Sequence, residues 1–267
     1  MELFFTVLLA LVLMLSATAG SVAQRRLSER HVSRDSVESV RLLMAMLVTF
    51  SALVLGLLTS TAKQRFDDYN NDLVAYGTQL TELDYRLRGY GTEADAARKL
   101  LRSYTAASIA DTWPGEPAPS GQYPHLDRTA ASGEGMEGTK LGDMLTDVDQ
   151  AIERLAPSDG FHRQIADRLH DRIVKTIDQR WRLIFSARST VSWPFLLILS
   201  VWLATIFAIF GLTAPRNLLI YVVVGLSAVS IASPMYLILE YNGVEGGLVQ
   251  MSSRPMLTAL SHMDRPD

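Results

Sequence analysis

Four windows of the chain carry no Asp, Glu, Lys, Arg or His: Leu3 to Ala23, Leu42 to Ala62, Phe195 to Ala214 and Leu218 to Leu239. Each is about 20 residues long, which is what a helix rising about 1.5 Å per residue needs to cross roughly 30 Å of hydrocarbon. A backbone in lipid must satisfy its own hydrogen bonds, so these windows predict four transmembrane helices, paired at the two ends of the chain. Overall composition alone hides this, because 48% hydrophobic and 20% charged residues would also suit a soluble protein.

The first window also has a signal-peptide reading, since Ala17-Thr18-Ala19 follows an apolar core as a cleavage site would. Against that reading, Met1-Glu2 carries no positive charge, and Arg25 and Arg26 come after the apolar run. The absence of cysteine removes disulfides, thiolate nucleophiles and thiolate metal sites. The connection between the first two windows holds Arg25, Arg26, Arg30, Arg34 and Arg41, whereas the N-terminal tail has no basic residue. By the bias of basic residues toward the cytoplasm, this loop lies inside and the large central segment outside. Lys63, Arg65, Arg180, Arg182 and Arg188 flank the other face and weigh against that orientation.

The central segment is helical by periodicity. Phe66, Tyr69, Leu73, Tyr76, Leu80, Leu83, Leu87 and Tyr90 alternate three and four apart, so the second membrane helix continues well beyond the bilayer with an apolar seam. Gly89 and Gly91 end it, and Thr92 with Asp95 resembles a cap for the next helix. A Pro- and Gly-rich loop follows. Leu141, Met144, Leu145, Val148, Ile152 and Leu155 mark a third helix closed by Pro157. Phe161 to Ile184 marks a fourth, running toward Pro194. The fold class is all-α: four transmembrane helices with a helical bundle inserted between the second and third. The expected division is 1–62 for the first two spans and their basic loop, 63–193 for the bundle, 194–239 for the last two spans and 240–267 for the tail.

Certain residues carry a family resemblance. From Ser51 onward the chain has a Ser/Thr-rich helix end, Lys63-x-x-Phe66-Asp67, Leu83-Asp84, Tyr90-Gly91 and Trp113-Pro114. Then come "WLATIFAIFGLTAPRN" and a tail with Leu239-Glu240, Asn242, Gly243 and Ser252-Ser253-x-Pro255-Met256. In this order they resemble the bestrophin-like family of bacterial membrane proteins. Val244 and Glu245 depart from that pattern, standing where the family places Pro and an aromatic. The resemblance implies an oligomeric, anion-conducting membrane protein in the bacterial inner membrane, with lipid and other copies of itself as partners. It also implies a cytoplasmic central domain, the reverse of the charge-based orientation. A sensor or scaffold binding a partner through the bundle is the alternative.

No catalytic constellation, phosphate loop, dinucleotide motif or basic stripe for nucleic acid is present, so no enzyme activity, cofactor or nucleic acid is expected. His162, Asp167, His170 and Asp171 have no zinc spacing and read as a charged surface, giving no expected metal site. Asp67, Asp68 and Asp72 read as helix-face pairing with Lys63 and Arg65.

Uncharged spans argue against a proton relay, a voltage sensor or a buried ion pair. They leave a path lined by Thr49, Ser51, Ser200, Thr205, Ser227 or Ser230, or an apolar constriction. Helix packing is expected at two small-residue stripes, Ala52, Gly56 and Ser60 on the second span and Gly225, Ala228 and Ala232 on the fourth. Glu240, Asn242 and Gly247, with Arg65 and Arg188, form a candidate tail anchor or pore mouth at the membrane interface. Pro255 is expected to open a short last helix.

Overall fold

In a computed structural model the chain is described at residues 2–26, 34–125, 138–188, 193–215, 217–242 and 251–265. The described residues form helices α1 (Glu2–Arg26), α2 (Arg34–Tyr90), α3 (Asp95–Thr112), α4 (Thr139–Glu153), α5 (Gly160–Arg188), α6 (Trp193–Thr213), α7 (Leu218–Asn242) and α8 (Arg254–Met263), with a 3-10 turn at Thr92–Ala94. No strand occurs among them.

Helices α1, α2, α6 and α7 are long and apolar enough to cross a membrane, and they hold the four uncharged windows apart from Ala214, one residue past the end of α6. α2 runs unbroken for 57 residues, about 85 Å at 1.5 Å per residue, far more than a bilayer needs. It ends at Tyr90 because Gly91 takes φ 109°, a backbone angle that glycine adopts without strain. The expected Thr92 cap is not formed: Thr92 starts the 3-10 turn, and α3 begins after Ala94 without a side-chain cap. Gly91 redirects the chain more tightly than a capped helix start would, so Thr92 lies inside the turn.

The chain divides into two compact units. The first, residues 1–66, 190–243 and 247–249, holds the spans. Its core is built from Leu9, Leu13, Leu199, Leu203, Ala228 and Met235 and their neighbours. α1 packs on α6 and on α7. The α1–α6 crossing is closest where Gly20 faces Ala208 and Gly211 faces Ala17. A Cβ at Gly20 would lie 2.0 Å from the Ala208 carbonyl oxygen, and one at Gly211 would lie 1.9 Å from that of Ala17. Lipid supplies no hydrophobic drive between spans, so association here rests on close van der Waals contact, which these glycines permit.

The second unit, residues 67–189, 244–246 and 250–267, is the helical bundle. Leu73, Tyr76, Leu80, Leu83 and Leu87 of α2 are all fully buried in it, as are Leu101, Leu145, Leu169 and Ile173 from α3, α4 and α5. The three-and-four spacing thus maps to a core that the chain fills itself.

Candidate functional site: the exposed face of the second span and the docked tail

The transmembrane part of α2 is covered less than any other span. Only 11% of its most apolar stretch is buried, against 22–28% in the other three. Its residues sort onto three faces. Ser51, Leu58 and Ala62 turn into the span core. Leu43, Met46, Phe50, Leu53 and Leu57 form a bulky exposed strip, each more than half exposed. Ala45, Thr49, Ala52, Gly56 and Ser60, spaced three and four apart, form a second exposed strip of small and hydroxyl side chains.

A Cβ added at Gly56 meets nothing within 4 Å among the described residues, and the strip is exposed along its length. The stripe on α7 behaves otherwise. Ala228 and Ala232 are buried, and a Cβ on Gly225 would lie 3.8 Å from the methyl end of Met14.

Three of the candidate path hydroxyls satisfy their donors locally, whereas the buried Ser51 Oγ has no hydrogen-bond partner among the described residues. Thr49, Ser200 and Thr205 each donate to the carbonyl four residues back, Ala45, Leu196 and Val201, at 2.7 to 2.9 Å. Thr49, Thr205 and Ser230 are exposed, Ser200 and Ser227 half-buried, and Ser51 buried.

Glu240 is buried, 3% exposed, near the end of α7. The adjacent Tyr241 ring lies 5.2 Å from that of Phe66 on α2. This places the end of α7 beside the stretch of α2 that carries Arg65. Gly247 and the side chains of Asn242 and Arg188 lie outside the described residues.

The motif residues from Leu83 to Trp113, and the tail, meet in the second unit. Asp84, with its side chain only 6% exposed, is held by Arg98 at 3.2 Å and Arg88 at 3.7 Å. A carboxylate at that depth needs partners, since removing it from water uncompensated costs several kcal/mol. Arg172 of α5 donates to Glu82 at 2.5 Å and to Gln79 at 2.9 Å. Asp72 accepts hydrogen bonds from Gln179 and Ser186, a structural role rather than a cation site. Tyr76 and Tyr104, both fully buried, share a 2.5 Å hydrogen bond, and burial pushes the Tyr76 phenol well above its usual range. Tyr90 packs its ring 5.1 Å from that of His162, whose own partner is Asp159.

The tail docks through Trp113, which donates from Nε1 to the Met251 carbonyl at 2.8 Å, and through Ser253, which hydrogen bonds to Glu116. Arg102 pairs with Asp264 at 2.6 Å, and Arg88 donates to the Arg265 carbonyl at 3.1 Å. Pro255 stands at the start of α8. Its carbonyl oxygen lies where a Cβ on Gly77 would be 2.8 Å away, so Gly77 is small in order to admit it. Sequence reasoning did not pair Trp113 with Met251, or Gly20 with Ala208. Periodicity reports which face is apolar but not which distant backbone approaches it.

A family model described as the Bestrophin-like domain matches residues 6–255. No curated relative matches the chain. Among solved structures, a tryptophan-to-alanine variant of a bacterial Bestrophin homologue from Klebsiella pneumoniae is similar with TM-score 0.67 and 15% identity, over 98% of this chain and 96% of that one. An isoleucine-to-threonine variant of that homologue gives 0.65 and 14%, over 96% and 97%. A leucine-to-threonine variant gives 0.61 and 17%, also over 96% and 97%.

Proposed function

The chain belongs to the bestrophin-like family, and from that premise we propose that it is an ion channel formed by several copies of itself around a common axis, with anions as cargo. The observation that carries this reading is the small, hydroxyl-bearing strip Ala45, Thr49, Ala52, Gly56 and Ser60 on the exposed face of α2. Beside it, the bulky strip from Leu43 to Leu57 is suited to lipid or to a neighbouring subunit. A helix facing lipid all round has no need of two unlike strips. A helix lining an axial path does: the small strip leaves room for ions, and the bulky strip seals the sides. The strip has no carboxylate, so it offers no acidic ring that would select cations.

The family motifs serve a different end. Leu83, Asp84, Tyr90, Gly91 and Trp113 build the bundle and dock the tail, holding the extramembrane stretch of α2 against α3, α5 and α8. The seam of α2 is filled by the chain's own residues. Glu240, with Arg65 across the α7–α2 crossing, acts as an anchor of the last span.

The protein resides as a multi-pass protein in the bacterial inner membrane. The arginines at 25, 26, 30, 34 and 41, joined by Arg216 in the connection between α6 and α7, support an orientation with those loops in the cytoplasm and the bundle outside. The functional test is anion flux through purified protein in liposomes, compared between the unaltered chain and chains with the α2 strip filled.

A further inference from the structure

Outside the spans, α4 and α5 bring together three side chains that no sequence spacing connects. Asp149 and Glu153 lie one turn apart on α4, and His170 lies on α5. One ligand atom from each falls within 4.8 Å of the others. Their positions are set by the core beneath them: Val148, Ile152, Leu169 and Ile173 are buried between the helices, so the residues next in sequence or one turn along sit at the rim of that contact. A second observation bears on the same place. Among the described residues, Oδ1 of Asp149 is buried and has no hydrogen-bond partner, an arrangement a carboxylate oxygen rarely keeps unless something else is meant to meet it.

We propose that Asp149, Glu153 and His170 form a binding site for a divalent transition-metal cation, with zinc as the best fit, that clamps α4 to α5. The donor set decides the class of ion. One imidazole nitrogen with two carboxylate oxygens suits zinc, manganese or cobalt, whereas magnesium and calcium favour oxygen-only sets. Zinc binds such ligands at about 2.0–2.2 Å, so atoms up to 4.8 Å apart need only small rotations to close on one ion. Glu153 and His170 are exposed and free to make those rotations, and water would complete the coordination. Neither the α2 strip nor the tail dock takes part, so the site adds a structural or sensing metal to the bundle.

The test is zinc titration of chelator-stripped, detergent-purified protein by calorimetry, with cobalt substitution read by visible absorption and magnesium as control. One zinc per chain is expected, with cobalt bands typical of mixed nitrogen and oxygen ligation and no response to magnesium. His170→Gln and Asp149→Asn should each weaken zinc binding at least tenfold, and His162→Gln should leave it unchanged. Helicity and melting of each metal-free variant are measured alongside. Should Asp149→Asn fail to fold, the exposed Glu153→Gln takes its place with the same expected loss. Absence of saturable zinc binding in the unaltered protein would overturn the proposal, as would full binding retained in His170→Gln together with a folded carboxylate variant.

Discussion

The Trp113 indole donates a 2.8 Å hydrogen bond to the carbonyl of Met251, joining the end of α3 to the residues that lead into α8. The bond is half-buried, so its loss strands a carbonyl as well as an indole contact. With Ser253 on Glu116 and Arg102 on Asp264, it makes the tail part of the bundle. Trp113→Phe keeps most of the ring and removes the donor, at a cost of about 1 kcal/mol. The expected outcome is a melting temperature lower by roughly 2–4 °C, the usual response of a chain of this size, and faster proteolytic release of the tail in detergent. Unchanged melting and proteolysis would show that the tail is held without it.

Two glycines in the spans should respond in opposite ways to the same substitution. Gly211→Ala puts a methyl group 1.9 Å from the Ala17 carbonyl oxygen, and forcing the α1–α6 crossing apart costs about 1–3 kcal/mol or more. Gly56→Ala meets nothing within 4 Å among the described residues and gains helix propensity of up to about 1 kcal/mol. Thermal unfolding of the two variants in detergent should therefore move down for the first and stay level or rise for the second. Equal effects would contradict the placement of α1 against α6.

Glu240 is buried at the end of α7, close in sequence to the Phe66–Tyr241 ring pair. Glu240→Gln keeps the shape and removes the charge. Losing a charged partner at a buried contact typically costs on the order of 1–3 kcal/mol, so melting should fall while the anion preference of any flux stays the same. An unchanged melting temperature with altered anion/cation selectivity would move Glu240 from an anchor to a pore mouth.

Orientation is read by cysteines introduced at Ser33 and Ser120 of a chain that has none of its own. An impermeant thiol reagent on intact cells should label Ser120→Cys and spare Ser33→Cys. The opposite pattern would put the bundle in the cytoplasm, as the resemblance to bestrophins implies.

Much of this architecture could be read from residue order. The four uncharged windows mark α1, α2, α6 and α7 because lipid penalises ionisable groups and broken backbone so heavily that the signal is nearly all or nothing. The seam from Phe66 to Tyr90 marks the long extension of α2 for a similar reason, since an apolar stripe at that spacing has to be buried. Thr92 was misleading because a cap motif competes with a glycine turn, and only the backbone angle at Gly91 decides between them. Two more features were out of reach of periodicity. Ala52, Gly56 and Ser60 read as a small-residue stripe, but only the structure shows that this stripe is exposed. Asp149, Glu153 and His170 come from two helices with no telltale spacing, so only the packing of α4 on α5 brings them together.

The central claim is that the small strip of α2 lines an ion path, and chloride flux from liposomes loaded with purified protein tests it most directly. The unaltered protein should release chloride. Gly56→Trp should reduce the flux at least tenfold with the oligomer still intact by size-exclusion chromatography, and Leu53→Trp, on the bulky strip of the same helix, should leave most of it. An absence of flux from the unaltered protein, or a block by Leu53→Trp with none by Gly56→Trp, would contradict the account.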